Sequence, residues 1–253
     1  MFAIVPLFKM EVLTDEESRQ LMESMTNPFT RLAHNEKETA GLLNSSQQVL
    51  LIHRPGEEYK LTQNQGIPEQ KAEHEILVKV IAVGLNPVDW KGPDYNFGLP
   101  ALPWINGRDL AGVVVKAHKN LRRIRVGDVV LSPSTDYRDI RKAAFQEYVV
   151  STEHNSARVP ADFDVLSSAA VGVAFVTAAM ALGICCGLNF AVAKEPRGAP
   201  DLFRLAREVD PQAFAADIRD EVLDGVKESE RPKPGDWIAI WGGEISPSEP
   251  CYG

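Results

Sequence analysis

Between Gln47 and Val150 the apolar residues come in short runs broken by glycine, proline and charge. Val49–Ile52, Tyr59–Leu61, Glu75–Val83, Gly112–Lys116, Val129–Leu131 and Phe145–Val150 each predict a strand, being rich in β-branched and aromatic residues. Arg54-Pro55-Gly56 and Gly127-Asp128 read as turns between them. Many short strands with this punctuation predict a compact, partly open β-barrel.

After Pro160 the period changes. Asp164 or Ser167 is placed to cap a helix running through Ala169 to about Leu188. That helix is apolar on nearly every face, so it is expected to be covered on most sides. Amphipathic helices are predicted over 201–209 and 217–226. Lys233–Asp236 then reads as a turn, Trp237–Trp241 as a buried strand, and Gly242-Gly243 as the opening of a glycine-rich loop. At the other end, Thr14-Asp15-Glu16-Glu17 is a capping pattern that predicts a helix over about 15–25, followed by a polar, partly disordered stretch to Ser46. The expected organisation is α+β: an N-terminal extension over 1–46, a barrel domain over 47–160, helices and a first strand of a further domain over 161–243, and an irregular tail over 244–253.

Composition changes this picture little. A chain of 253 residues, 44% hydrophobic and 25% charged, can bury a sizeable core. Its net charge of −8 argues against a nucleic-acid partner, because phosphate contacts need a surplus of cations. The basic cluster Lys116, Lys119, Arg122, Arg123 and Arg125 reads as the solvated face of a hairpin. Three cysteines make no disulfide framework; Cys185 and Cys186 are expected to be buried packing residues in a cytoplasmic protein. The apolar run Phe2–Phe8 has no basic segment before it and contains Pro6, a poor signal peptide. No charge occurs between Asp164 and Lys194, a length that could span a bilayer. The stretch is rich in Ser, Ala and Gly and lacks an aromatic belt, so a buried helix without a membrane is the preferred reading.

Two segments could carry chemistry. Asn86-Pro87-Val88-Asp89-Trp90-Lys91 follows the longest strand and reads as a turn, in which Pro87 holds Asn86 extended. It is either a solvated loop with a local Asp89–Lys91 ion pair or the edge of a cleft bearing a cationic donor. Gly107-Arg108-Asp109-Leu110-Ala111-Gly112, alone, is a turn with a β-bulge glycine.

The order of these motifs is more specific than any one of them. A strand precedes Asn-Pro-Val-Asp-x-Lys; then come Pro-Trp-Ile-x-Gly-x-Asp-x-x-Gly-Val-Val, Val-Gly-Asp-Val-Val and Gly-Asp-x-Ile-Ala-Ile-x-Gly-Gly. Over about 47–243 this resembles the medium-chain dehydrogenase/reductase superfamily. The zinc-independent quinone oxidoreductase and fungal trans-acting enoyl reductase branch is the most similar. The resemblance implies a GroES-like β-barrel catalytic domain, bridging helices and a Rossmann domain, with NADPH in the cleft between barrel and Rossmann domain. It implies hydride transfer to an enone, quinone or enoyl thioester. Asn86 would sit beside the nicotinamide, Lys91 and Thr177 would line the reaction pocket, and Gly242 and Gly243 would face the cofactor phosphates. Zinc-dependent relatives have a Cys at the position of Asn86 and Gly-His-Glu where this chain has Gly107-Arg108-Asp109, so no metal is expected.

The resemblance also makes the Rossmann part rudimentary. Glu244–Gly253 carries Pro247 and Pro250, which cannot lie inside the helix that should follow a phosphate loop. The sequence is therefore expected to be a family member cut short, inactive alone and binding NADPH weakly or not at all. Two other readings stay open. One is a non-catalytic binding or self-association module that exposes its apolar helix; the other is a membrane-anchored protein using 165–193. Titration with NADPH separates the first two, and detergent dependence separates the third.

Overall fold

The longest strand organises the sheet. In the computed structural model, which describes residues 4–5, 43–134, 136, 138–188, 202–214, 219–233, 235–237 and 239, β4 (Glu75–Gly84) is buried at eight of its ten positions. A run this apolar has no solvent face and must lie in the middle of the structure. It pairs antiparallel with β6 (Asp109–Ala117) along its length, with β8 (Tyr148–Thr152) through residues 75–79, and with β1 (Ile4–Val5) at Val83 and Gly84. The sheet continues from β6 to β7 (Val129–Pro133) and β9 (Ala157–Arg158). A second sheet has the order β3 (Lys60–Gln65), β2 (Gln47–Ile52) and β5 (Trp104–Ile105). Both are open, as a partly open barrel requires.

Packing follows the apolar pattern. Val49, Ile76, Val78, Leu110, Val114, Ile124, Val130, Phe145 and Val149 form the main core, and each such side chain contributes about 1.5–3 kcal/mol when fully buried. A Cβ on Gly112 would run into the Lys79 carbonyl of β4, so a glycine is needed for β6 to approach. Gln47, 3% exposed, links the two sheets. Its amide nitrogen donates to the Gly66 carbonyl (2.9 Å) and to Gln146 Oε1 (3.1 Å), and its oxygen accepts the Tyr148 N–H (3.0 Å).

The basic segment is the β6–β7 hairpin, with its cationic side chains exposed. Its backbone is fixed by Glu153, whose Oε1 accepts the N–H groups of Arg122 (2.8 Å), Arg123 and Ile124 (3.3 Å).

Several expectations need correction. The helix expected through Ala169 to Leu188 is broken. Asp164 caps α2 (Val165–Ser168), accepting the Ser167 N–H at 2.7 Å; the chain turns over 169–171; α3 (Gly172–Met180) follows, then one π-helical turn over Ala181–Cys185. The break lies where the Ala169 carbonyl meets the end of β4: a Cβ on Gly84 would strike it. Covering also fails, since Val171, Phe175 and Met180 are 38%, 68% and 51% exposed. Cys185 is exposed and Cys186 half-buried, not core residues. Among the described residues, no helix is long and apolar enough to cross a membrane.

The chain divides into two units, residues 2–173 and 174–253. In the second, α4 (Leu202–Glu208) packs on α5 (Arg219–Asp224), as the amphipathic patterns predict. Trp237, expected in a buried strand, is 99% exposed and outside any strand. The rest of the expected strand, at 238 and 240–241, lies outside the described residues. The helix expected over 15–25 and the glycines Gly242 and Gly243 lie outside the described residues.

Candidate functional site

At the end of β4 the chain enters a helix where the sequence reading placed a turn. Asn86 is extended (φ −114°, ψ 152°), as a residue before proline must be, and α1 spans Pro87–Tyr95. Pro87 stands at the first helical position, where a missing N–H costs nothing. Asp89, in the first turn, accepts the Asn86 backbone N–H on Oδ2 at 2.8 Å, half of a capping box. Asn-Pro-x-Asp was thus a helix-start signal. The helix ends at Asn96, which takes the left-handed conformation (φ 52°).

That helix start buries a carboxyl group. Asp89 is 4% exposed, and its Oδ1 is buried without a hydrogen-bond partner. Burial pushes its pKa up to about 6, and neighbouring Asp109 adds to this; the Asn86 N–H and Arg108 oppose it. The alternative of a solvated loop therefore fails for Asp89, and no ion pair joins it to Lys91. The Asp89 main-chain carbonyl accepts the Tyr59 hydroxyl at 2.6 Å, and Asn106 Nδ2 donates to that hydroxyl at 3.0 Å. Burial lifts the Tyr59 pKa to about 12, so the phenol stays protonated. Tyr59 packs edge-on against Phe145, with ring centroids 5.4 Å apart. Gly107 passes behind that ring at φ +96°, and a Cβ there would lie 2.5 Å from it.

Asp109 opens β6, opposite Gly84 of β4. It is 2% exposed. Its Oδ2 accepts from Asn86 Nδ2 at 3.1 Å and its Oδ1 from the Val173 N–H, in the first turn of α3, at 2.8 Å. Burial raises its pKa against the pull of those two donors. Gly172 leaves room for this: a Cβ there would sit 2.5 Å from Asp109 Oδ1 and 3.1 Å from Pro133.

The structure thus brings Asn86, Asp89 and Asp109 together. Lys91 is exposed, with Nζ 5.3 Å from the centre of the Trp90 ring, a cation–π contact outside that polar cluster. Trp90 is 52% exposed and lies 6.4 Å from Tyr95. Thr177 is exposed on α3 in the second unit. The sequence reading missed Tyr59 and Asn106 as partners of this site, for they come from β2–β3 and β5 flanks with no motif of their own.

Zinc does not fit these residues. The Asn86 amide nitrogen donates a hydrogen bond and offers no lone pair, and a guanidinium stands at Arg108.

The domain that carries these residues has known relatives. Residues 72–161 match the alcohol dehydrogenase GroES-like domain. The trans-enoyl reductase grgB of Penicillium sp is 34% identical over 136 residues, covering 53% of this chain and 38% of that protein. The quinone oxidoreductase of Homo sapiens is 32% identical over 124 residues, covering 49% of this chain and 36% of that one. Among solved structures, the quinone oxidoreductase from Coxiella burnetii superposes with a TM-score of 0.50 at 23% identity, over 56% of this chain and 46% of that one, a likeness of fold. The chain spans between a third and two fifths of the length of these curated relatives.

Proposed function

Because this chain belongs, through its GroES-like domain, to the zinc-independent, quinone oxidoreductase-like branch of the medium-chain dehydrogenase/reductase superfamily, we propose that its barrel is the catalytic half of an NADPH-dependent reductase. The observation that carries this is the Asn86–Asp109 bond at the end of β4, where the motif resemblance puts the nicotinamide. NADPH, when bound, supplies the hydride. The chain's own part is to orient the ring through Asn86 and to stabilise charge that develops on a substrate carbonyl oxygen. Lys91 and Thr177 are the donors for that charge. The substrates fitting this chemistry are small electron-poor compounds: an enone, a quinone or an enoyl thioester.

The phosphate end of the cofactor would need Gly242 and Gly243 followed by a helix N-terminus, which Pro247 and Pro250 do not favour. Accordingly this chain by itself binds NADPH weakly or not at all. The experiment has two stages. Purified chain is titrated with NADPH, where micromolar affinity would overturn the weak-binding reading. Residues 1–188, which carry both Lys91 and Thr177, are then joined to the nucleotide-binding domain of a relative and assayed with a quinone and with an enoyl thioester. Substrate-dependent NADPH oxidation supports the proposal; a folded, NADPH-binding fusion that oxidises none refutes it.

A second reading, a self-association module, draws on the exposure of Val171, Phe175 and Met180.

A further inference from the structure

We propose that Asp109 is the positioning residue of this site: its carboxylate bridges the Asn86 carboxamide and the opening turn of α3, so that neither is set without the other. Three backbone segments converge on it. The end of β4 supplies Gly84, its partner in the strand ladder, and two residues later Asn86; β7 supplies Pro133; α3 supplies Gly172 and Val173. Both carboxylate oxygens are committed, Oδ2 to Asn86 Nδ2 (3.1 Å) and Oδ1 to the Val173 N–H (2.8 Å).

Both partners are donors, so the bridge needs a group that only accepts. An ionised carboxylate is such a group; a carboxylic acid or an amide is not, because each would turn a hydrogen towards one of the two donors. Space is as restricted as chemistry: a Cβ on Gly172 would lie 2.5 Å from Oδ1 and 3.1 Å from Pro133, so α3 packs onto the carboxylate with no room for a side chain between them. The charged groups beside it are Asp89 from α1, coupled to it electrostatically, and Arg108, which precedes it in the chain. Gly84 and Leu85, Pro133, and Gly172–Val173 bring none.

The inference rests on the functional reading only in giving Asn86 a ligand to face. Its test needs neither ligand nor turnover. In nitrogen-15 NMR of the chain, the Asn86 side-chain NH2 and the Val173 amide should titrate with one shared midpoint, that of Asp109. Asn86→Ala should leave the Val173 titration in place. Asp109→Asn should remove the shared titration from both signals. The comparison is made in an Asp89→Asn background, which removes the neighbouring carboxyl bonded to the Asn86 N–H; there, different midpoints, or survival of either titration once Asp109→Asn is added, would overturn the proposal, and if the double variant does not fold, Asp89→Asn with and without Asn86→Ala still decides. A shared midpoint together with a failed reductase assay would leave the bridge standing and remove the function.

Discussion

The hydroxyl of Tyr59 donates to the main-chain carbonyl of Asp89 at 2.6 Å, tying the second sheet to the first turn of α1. The carbonyl belongs to a residue that is 4% exposed, and Asn106 uses the same hydroxyl as its acceptor. Tyr59→Phe keeps the ring against Phe145 but strips both groups of a partner. An unsatisfied buried polar group costs about 1–3 kcal/mol. The variant is expected to lose stability in that range, read from urea unfolding; a change within the error of the measurement would show that water replaces the hydroxyl.

Asp89 gives the protein a pH signature. Its folded pKa, about 6, lies above the ordinary value of 3.8, so the folded state holds its proton more tightly than the unfolded one. The stability this brings is present in full below about pH 4 and is lost as pH rises through about 6. Across that window the loss attributable to Asp89 is about 3 kcal/mol, at 1.36 kcal/mol per unit. Glu75, held low by its bond to Arg141 against the cost of burial, pulls the other way, so the readout is the difference between wild type and Asp89→Asn. That difference should shift in favour of the variant between pH 4 and 7; a constant difference would mean that Asp89 titrates normally.

Much of the first unit was legible because its strands are punctuated. Glu75–Val83 was read within one residue of β4, and the hairpin around Arg122–Arg125 follows from Gly127-Asp128. The resemblance in motif order found the region of Asn86. What escaped was set by tertiary contacts. Ala169–Val171 has no helix-breaking residue, and the break there answers to the close approach of Gly84. Tyr59 and Asn106 lie 47 residues apart and meet only in the fold. Trp237, read as buried from its apolar neighbours, is exposed, because pattern alone does not show what covers a side chain.

Gly172→Ala sets two effects against each other. Alanine favours a helix by up to about 1 kcal/mol over glycine. The new Cβ, however, would lie 2.5 Å from Asp109 Oδ1 and 3.1 Å from Pro133, and overpacking of this kind costs about 1–3 kcal/mol. Net destabilisation is expected, together with a moved Val173 amide signal. A more stable variant with that signal unmoved would show that α3 shifts freely.

In a fusion of residues 1–188 with the nucleotide-binding domain of a relative, Lys91→Ala and Thr177→Ala are each expected to lower turnover. A buried donor to a developing oxyanion is worth on the order of 3 kcal/mol, about a hundredfold in rate. Both residues are exposed here, so solvent screening makes that a ceiling. Unchanged turnover in both variants would remove them from the chemistry.

Phe175 and Met180 leave apolar surface open to water. Contiguous patches beyond about 400 Å² promote association. Sedimentation should show a mass that rises with concentration, reduced by Phe175→Ser, and limited proteolysis should cut within 165–243 before 47–160. A monomer at all concentrations, with both regions equally resistant, would sink this expectation.

Gln47 performs the work of a peptide group that is not part of the chain there. Its side-chain oxygen takes the N–H that Tyr148 offers, and its nitrogen answers the carbonyl of Gly66, as a neighbouring strand's backbone would. The two sheets are therefore spliced by a rung carried on a side chain, with no strand running between them. Main-chain bonds continue the seam beside it, from the Leu50 N–H to the Phe145 carbonyl (2.9 Å) and from the Glu147 N–H to the Gln48 carbonyl (3.2 Å), so the register is held by backbone and side chain together. Replacing Gln47 with leucine would keep the bulk and erase this rung, while the main-chain bonds on the Leu50 side would still hold the two sheets in register.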